Sequence, residues 1–309
     1  MSFFFNKNII KNITRNRFMK KILLTGSEGQ LGQSIIKINS LNPEYTIVPT
    51  DLRELDITQA KEVHRFLQSE PFDLVINAAA YTQVDGAETD YETALRVNGT
   101  APGILAAACR ETDTGLIHIS TDYVFDGNLD RDYQEADAAN PINAYGRSKL
   151  AGEQAIARAG AKALIIRTSW LFSETGKNFV KTMLALAQEG KPLRIINDQY
   201  GSPTYAGHLA EALLFLAGKR FHPGISLFHI TNKGFTTWYH LAMKVFATAG
   251  IRAAVTPVPS TGFKTAAARP ARSVLSNQRL ETVTGYVMPA WETGVETCLR
   301  EIERLNSIH

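Results

Sequence analysis

"KKILLTGSEGQLG" (residues 20–32) decides the fold. Ile22, Leu23 and Leu24 form an unbroken aliphatic run, as in a strand buried on both faces. Directly after it, Gly26, Gly29 and Gly32 stand three apart. This G-x-x-G-x-x-G is a variant of the dinucleotide fingerprint, in which a tight turn brings backbone amides and a helix N-terminus to a pyrophosphate. Three glycines also suit a plain strand–helix turn, so the neighbours matter. "YTIVPTD" (45–51) reads as the next strand and ends in Asp51, where a carboxylate can accept the hydroxyls of an adenosine ribose. Arg53, two residues on, suits a 2′-phosphate instead, so NADH and NADPH both stay open.

The same alternation continues outward. Helices are expected over 60–68, 87–110 and from about Asn143. Between them lie the strands "FDLVINAAA" (72–80), "GLIHIS" (115–120) and "KALIIRTSW" (162–170). Strands alternating with helices predict βαβ units and a parallel sheet. The fold class is therefore α/β: a Rossmann-like doubly wound parallel sheet over 19–168. A smaller mixed α/β substrate-binding region follows over 169–309, with helices near 176–189, 205–217, 236–249 and 290–305. Segments within about 193–232 are expected to return to the main sheet. Residues 1–18 read as a disordered tail, since "MKKILLTG" from Met19 resembles a natural start.

Composition narrows the function classes. Hydrophobic residues at 44% and charged residues at 20% suit a globular protein with a large core. The formal charge of +3 is smaller than the contribution of Lys7, Lys11, Arg15 and Arg17 alone, so the body is near neutral and nucleic-acid binding has no electrostatic support. No apolar run reaches the roughly 18–20 residues of a membrane helix. Cys109 and Cys298 give neither a disulfide framework nor metal spacing, which favours a reducing cytoplasm. The seven histidines show no ligand pairing, and no metal is expected. His118 is read as a packing residue.

Two further stretches carry chemistry. "HISTDYVFDG" (118–127) begins as a core strand and ends in Thr121, Asp122 and Tyr123, a hydroxyl, a carboxylate and a phenol at the mouth of an apolar strand. "NAYGRSKLAGE" (143–153) sets Tyr145 and Lys149 four apart, on one face of a helix. A tyrosine needs help to move a proton near neutrality, and a nearby ammonium lowers its pKa. Tyr-x-x-x-Lys alone is an unspecific spacing. Its place on the helix after "STD" puts it at the sheet's carboxyl edge, beside the expected cofactor. Ala78, Ala79 and Ala80 are small enough for a flat ligand to lie on the backbone, or for tight packing.

Together these features resemble the extended short-chain dehydrogenase/reductases that act on nucleotide sugars. "LTGSEGQLG", "INAAAYTQVDGAE", "STDYVFDG", "AYGRSKLAGE", "RTSWLF", "NDQYGSPT" and Trp291 are similar to the dTDP-4-dehydrorhamnose reductase branch, from about Lys20 to the C-terminus. The resemblance implies reduction of the 4-keto group of a dTDP-linked 4-keto-6-deoxy sugar by NADPH or NADH, for cell-surface polysaccharide synthesis. It makes Tyr145 the proton donor, Lys149 the holder of the nicotinamide ribose, and Thr121 a hydrogen-bond donor to the same oxygen. Cofactor contacts are implied at Gly26, Gly29, Gln30, Leu31, Gly32, Asp51, Asp56, Ile57, Ala78, Ala79, Ala80, Tyr81, Thr82 and Asn98, besides Tyr145 and Lys149. Substrate contacts are implied at Thr121, Asp122, Tyr123, Trp170, Asn178 and Gln199, with Arg269 and Arg272 as candidates at the nucleotide end.

Some members dimerise around a metal held by carboxylates. The matching positions are Ser34 and Gly207, so a monomer or weak homodimer without metal is expected. Other readings remain: another 4-ketoreductase, a 4,6-dehydratase or epimerase, or a non-catalytic regulatory subunit of the methionine adenosyltransferase type. Tyr123, where a dehydratase needs a second carboxylate, and intact Thr121, Tyr145 and Lys149 speak for the reductase.

Overall fold

Residues 19–307 are described by a computed structural model; the expected tail over 1–18 lies outside the described residues. The chain runs β1 (Lys20–Thr25), α1 (Gln30–Leu41), β2 (Tyr45–Thr50), α2 (Ala60–Ser69), β3 (Leu74–Asn77), α3 (Tyr91–Leu95), α4 (Ala101–Glu111), β4 (Gly115–Thr121), α5 (Ala144–Ala159) and β5 (Ala163–Thr168). It continues through β6 (Leu171–Phe172), α6 (Phe179–Gln188), β7 (Leu193–Ile196), β8 (Tyr200–Gly201), β9 (Thr204–Tyr205), α7 (Ala206–Ala217) and β10 (Ile225–His229). It closes with β11 (Thr236–Thr237), α8 (Trp238–Thr248), β12 (Val255–Val258), α9 (Gln278–Thr284) and α10 (Trp291–Asn306).

The aliphatic run of β1 explains the layering. Successive strand residues point to opposite faces. Ile22 and Leu24 pack on one side with Leu31 and Ile35 of α1 and with Leu209 and Leu213 of α7. Leu23 packs on the other with Val63 and Leu67 of α2 and Leu105 of α4. The six-stranded sheet has the order β10-β5-β4-β3-β1-β2 and is parallel throughout. From β1 the chain lays β2 on one side and β3, β4 and β5 on the other. That reversal opens a crevice at the carboxyl ends, where open α/β sheets bind ligands. A third core cluster joins Val180 and Met183 of α6, Leu241 and Val245 of α8, and Val295 and Leu299 of α10, forming the smaller mixed region.

One expectation is corrected and one is made more definite. The helix expected over 87–110 is interrupted. Asp90 starts a new helix by accepting from Thr93 N, and a π-helical turn at Arg96–Thr100 separates α3 from α4. The return to the main sheet is narrower than 193–232. Only β10 joins it, beside β5, whereas β7 pairs with β12 in a separate two-stranded sheet because its buried Leu193 and Ile195 belong to the third cluster.

Candidate active site

Gly26 begins the site. Its φ of +71° suits glycine, and a Cβ there would lie 2.5 Å from Ala79 N, so the loop after β1 rests directly on the loop after β3. Helix α1 starts at Gly29 with no side-chain cap and no acid in its first turn. Its free amides and positive dipole end suit an anion. Gly26, Gly29, Gln30 and Leu31 line a cavity of about 850 Å³, together with Asp51, Asp56, Ile57, Ala78, Ala79, Ala80 and Thr82. The Asp51 carboxylate accepts from Glu28 N at 3.0 Å and Leu52 N at 2.8 Å. Arg53 is exposed and not part of the lining. Gly32 does not line the cavity either. A Cβ there would sit 2.3 Å from Gly26 O, so this glycine serves the packing of α1 on the loop.

The reacting end is built by β4 and α5. Asn143 caps α5 by accepting from Gly146 N at 2.7 Å, and Gly160 in the left-handed region ends it. A Cβ at Gly146 would lie 2.0 Å from Tyr123 O. The first turn of α5 therefore presses on the turn after β4, which sets Tyr145 beside Thr121. Both line the cavity, as does Lys149 one helical turn on. Burial pushes the Tyr145 phenol up to about 12; the Thr121 hydroxyl pulls the other way, and the Asp122 charge raises it further. Lys149 is pushed down to about 8 by burial, against the charge of Glu153, and its Nζ donates to Ile119 O at 2.5 Å. The expected lowering of the tyrosine by Lys149 is not found: burial sets the direction, the Thr121 hydroxyl is the group that opposes it, and the Lys149 ammonium is directed at Ile119 O.

Asp122 is buried. It accepts from Thr121 Oγ1 at 3.1 Å and from Ser273 Oγ at 2.5 Å, and burial raises its carboxyl to about 6. Tyr123 lines the cavity and meets Tyr145 edge-on at 5.8 Å. Trp170 also lines it, in an unusual backbone conformation with φ of +46°. Its indole stacks on Trp238 at 3.5 Å and 6°. Trp238 is a wall shared with a second cavity of about 450 Å³, which Gln199, Arg194, Phe263 and Arg269 also line.

Several residues expected at the site lie outside the lining of the main cavity. Gln199 is on the second cavity, accepting from Trp238 Nε1 at 3.2 Å. Arg269 lines that cavity while paired with Asp85 at 2.6 Å; Arg272 lines neither and pairs with Asp132 at 2.7 Å. Asn98 is buried in the π-helical turn and spends its amide on Tyr81 N, Tyr81 O and Ser148 Oγ, so Asn98 and Tyr81 shape the wall from behind. Asn178 caps α6 and donates to Gln30 Oε1 at 2.9 Å, which orients Gln30. Ser34 Oγ donates to Gln30 O, and Gly207 packs under the Tyr205 ring. Among the described residues no cluster of three His, Cys, Asp or Glu could hold a metal.

Lining residues that sequence reasoning passed over include Ser120, Thr168, Ser169, Lys177 and Trp238. Thr168 and Ser169 end β5 as Thr121 ends β4, so the strand-end rule could have found them. Trp238 carries no comparable local signal.

Residues 19–304 match the family model of the RmlD substrate binding domain. The chain is 39% identical over 298 residues to a dTDP-4-dehydrorhamnose reductase of Burkholderia thailandensis, covering 91% of this chain and 99% of that one. The structure of dTDP-4-dehydrorhamnose reductase from Bacillus anthracis in complex with NADP superposes with a TM-score of 0.88 at 37% identity, covering 92% and 100% of the two chains. A UDP-glucose 4-epimerase of Thermus thermophilus in complex with NAD shares the fold alone, at 20% identity and a TM-score of 0.76 over 92% and 99%. The chain belongs to the dTDP-4-dehydrorhamnose reductase family.

Proposed function

We propose that the protein reduces the 4-keto group of dTDP-4-dehydro-6-deoxy-L-mannose to give dTDP-L-rhamnose, using NADPH or NADH, in cell-surface polysaccharide synthesis. The observation that carries this reading is the meeting of Thr121, Tyr145 and Lys149 in the cavity that the glycine loop also lines. The uncapped α1 N-terminus and the Asp51 carboxylate fit the pyrophosphate and the adenosine ribose of a dinucleotide.

When bound, the reduced cofactor supplies a hydride to the carbonyl carbon. The carbonyl electron pair then moves onto oxygen, and the protein's task is to meet that charge. Tyr145 gives its hydroxyl proton to the oxygen. A phenol held near 12 keeps its proton at neutral pH, and an alkoxide is basic enough to take it. Thr121 steadies the same oxygen. Lys149 stays largely protonated at pH 7 and offsets the phenolate left behind. One ketone, one reduced nicotinamide and one proton give one alcohol and one oxidised nicotinamide.

On this reading Asp122, Tyr123 and Trp170 hold the sugar, and the second cavity with Gln199 and Arg269 takes the nucleotide end. Residues 19–168 bind the cofactor and most of 169–309 the substrate. We place the enzyme in the cytoplasm as a monomer or weak homodimer. No helix among the described residues is long and apolar enough to cross a membrane. The test is cofactor oxidation by purified protein with dTDP-4-dehydrorhamnose and a panel of other 4-keto nucleotide sugars. Turnover with the dTDP sugar and release of dTDP-L-rhamnose is expected; oxidation of neither NADPH nor NADH would remove the reading.

A further inference from the structure

Thr168 ends β5 as the register partner of Thr121 at the end of β4. It is 7% exposed and lines the main cavity, yet its hydroxyl has no hydrogen-bond partner among the described residues. Nearby hydroxyls are engaged: Ser120 with Glu153, Thr121 with Asp122, Ser169 with Ser202 O, and Thr25 with Asn77. The other orphaned buried atoms, on His118, Arg167, His229 and Arg272, belong to residues that line neither cavity. A buried hydroxyl without a partner is costly to keep, and a ligand in the cavity that supplies one recovers the cost.

The sheet indicates which ligand group arrives there. Four strand steps lead from Asp51 at the end of β2, across β1, β3 and β4, to Thr168 on β5. At ~4.8 Å per step this is about 19 Å, on the scale of an extended dinucleotide. With the adenosine at Asp51 and the pyrophosphate over the α1 N-terminus, the nicotinamide falls over β4 and β5.

We infer that Thr168 is a cofactor-binding residue whose hydroxyl hydrogen-bonds the carboxamide of the nicotinamide and fixes the ring against the ketone held by Thr121 and Tyr145. This rests on the dinucleotide reading above. The ring would otherwise be free to rotate about its ribose bond, and a bond to its amide selects the face turned to the sugar.

The test compares Thr168→Val and Thr168→Ser with the wild type. Thr168→Val keeps the shape and removes the hydroxyl. It is expected to bind NADPH or NADH about 5- to 10-fold more weakly in a direct fluorescence titration, the worth of one net hydrogen bond. ADP-ribose, which lacks the nicotinamide, is expected to bind both forms equally. Thr168→Ser is expected to restore cofactor affinity. The ligand-free Thr168→Val protein is expected to unfold at a temperature no lower than the wild type, since it buries no orphaned hydroxyl. Unchanged cofactor affinity in Thr168→Val overturns the assignment, as does equal weakening of ADP-ribose. A lower unfolding temperature without ligand would show the hydroxyl to be structural and also overturns it. So does a rise in the KM of the sugar alone. Wild-type protein that binds neither reduced cofactor would instead bring down the reductase reading, and this inference with it.

Discussion

Replacing Glu153 with Gln separates the support of the site from its chemistry. Glu153 stands one turn beyond Lys149 on α5. Its carboxylate accepts from Arg167 Nε at 2.9 Å, Arg167 Nη2 at 2.7 Å and Ser120 Oγ at 2.5 Å. The two charged side chains are 8% and 5% exposed, and the guanidinium lies 4.9 Å over the Phe125 ring. Glu153→Gln keeps the shape, removes the charge and turns an NH2 group toward donors. Removing one partner of a buried pair costs about 3–5 kcal/mol, because the other charge stays buried and uncompensated. The retained amide carbonyl places this variant near ~3 kcal/mol, a factor of more than ~100 in the folded-to-unfolded ratio. Equilibrium urea unfolding at pH 7 reads this directly. A second effect follows at Lys149, where the Glu153 charge opposes the fall caused by burial. Without it the ammonium loses its proton at lower pH, so the alkaline limb of kcat/KM moves toward neutrality. Replacing Arg167 with Met in the same variant removes the stranded charge and is expected to recover stability without restoring that limb. A Glu153→Gln protein within ~1 kcal/mol of the wild type, with an unmoved alkaline limb, would refute the reasoning.

Other outcomes follow from the same geometry. Asp122 titrates near 6 when folded and near ~3.9 when unfolded. Its raised pKa contributes stability that is complete below about pH 4 and lost as pH rises through about 6. Relative to Asp122→Asn, the wild type is therefore expected to lose about 2 kcal/mol of unfolding free energy between pH 4 and 7; parallel curves would contradict the burial of that carboxyl. Asp51→Ala is expected to weaken NADH binding about 10-fold and NADPH binding much less, since the carboxylate accepts ribose hydroxyls but repels a 2′-phosphate; equal losses in titration would argue against that placement. Trp238→Leu removes the stack on Trp170 and the bond to Gln199. With aromatic pairs worth ~0.5–1.5 kcal/mol, it is expected to raise the KM of the sugar nucleotide about 2- to 10-fold at unchanged cofactor affinity. A parallel loss of cofactor binding would show that the pair supports the whole crevice.

What was legible in the sequence was local. The glycine loop, Asp51 at a strand end, "STD" and Tyr-x-x-x-Lys each lie within one βα unit, where strand direction and helix periodicity fix which way a residue faces. Asn98 and Asn178 are strand-remote polar residues whose amides could serve a ligand or the backbone. The choice depends on tertiary neighbours, Tyr81 for one and Gln30 for the other. Ser273 reaches Asp122 across 151 residues, and Trp238 meets Trp170 from a distant part of the smaller region, so neither pairing has a spacing to read. The sign at Tyr145 failed for a related reason. The Tyr–Lys spacing suggested a lowering charge, whereas the shift is set by burial at the edge of the sheet, with Thr121 rather than Lys149 opposing it.

Tyr145→Phe tests the proton donor most directly, because it removes one oxygen and keeps the ring against Tyr123. The variant and the wild type are compared by single-turnover reduction of dTDP-4-dehydrorhamnose and by titration with the reduced cofactor. The expected result is a loss of about 10²–10⁴ in the rate of reduction, the worth of general acid catalysis, with cofactor affinity within about twofold of the wild type. A rate within about tenfold of the wild type, or a parallel loss of cofactor binding, would contradict Tyr145 as the group that protonates the ketone oxygen.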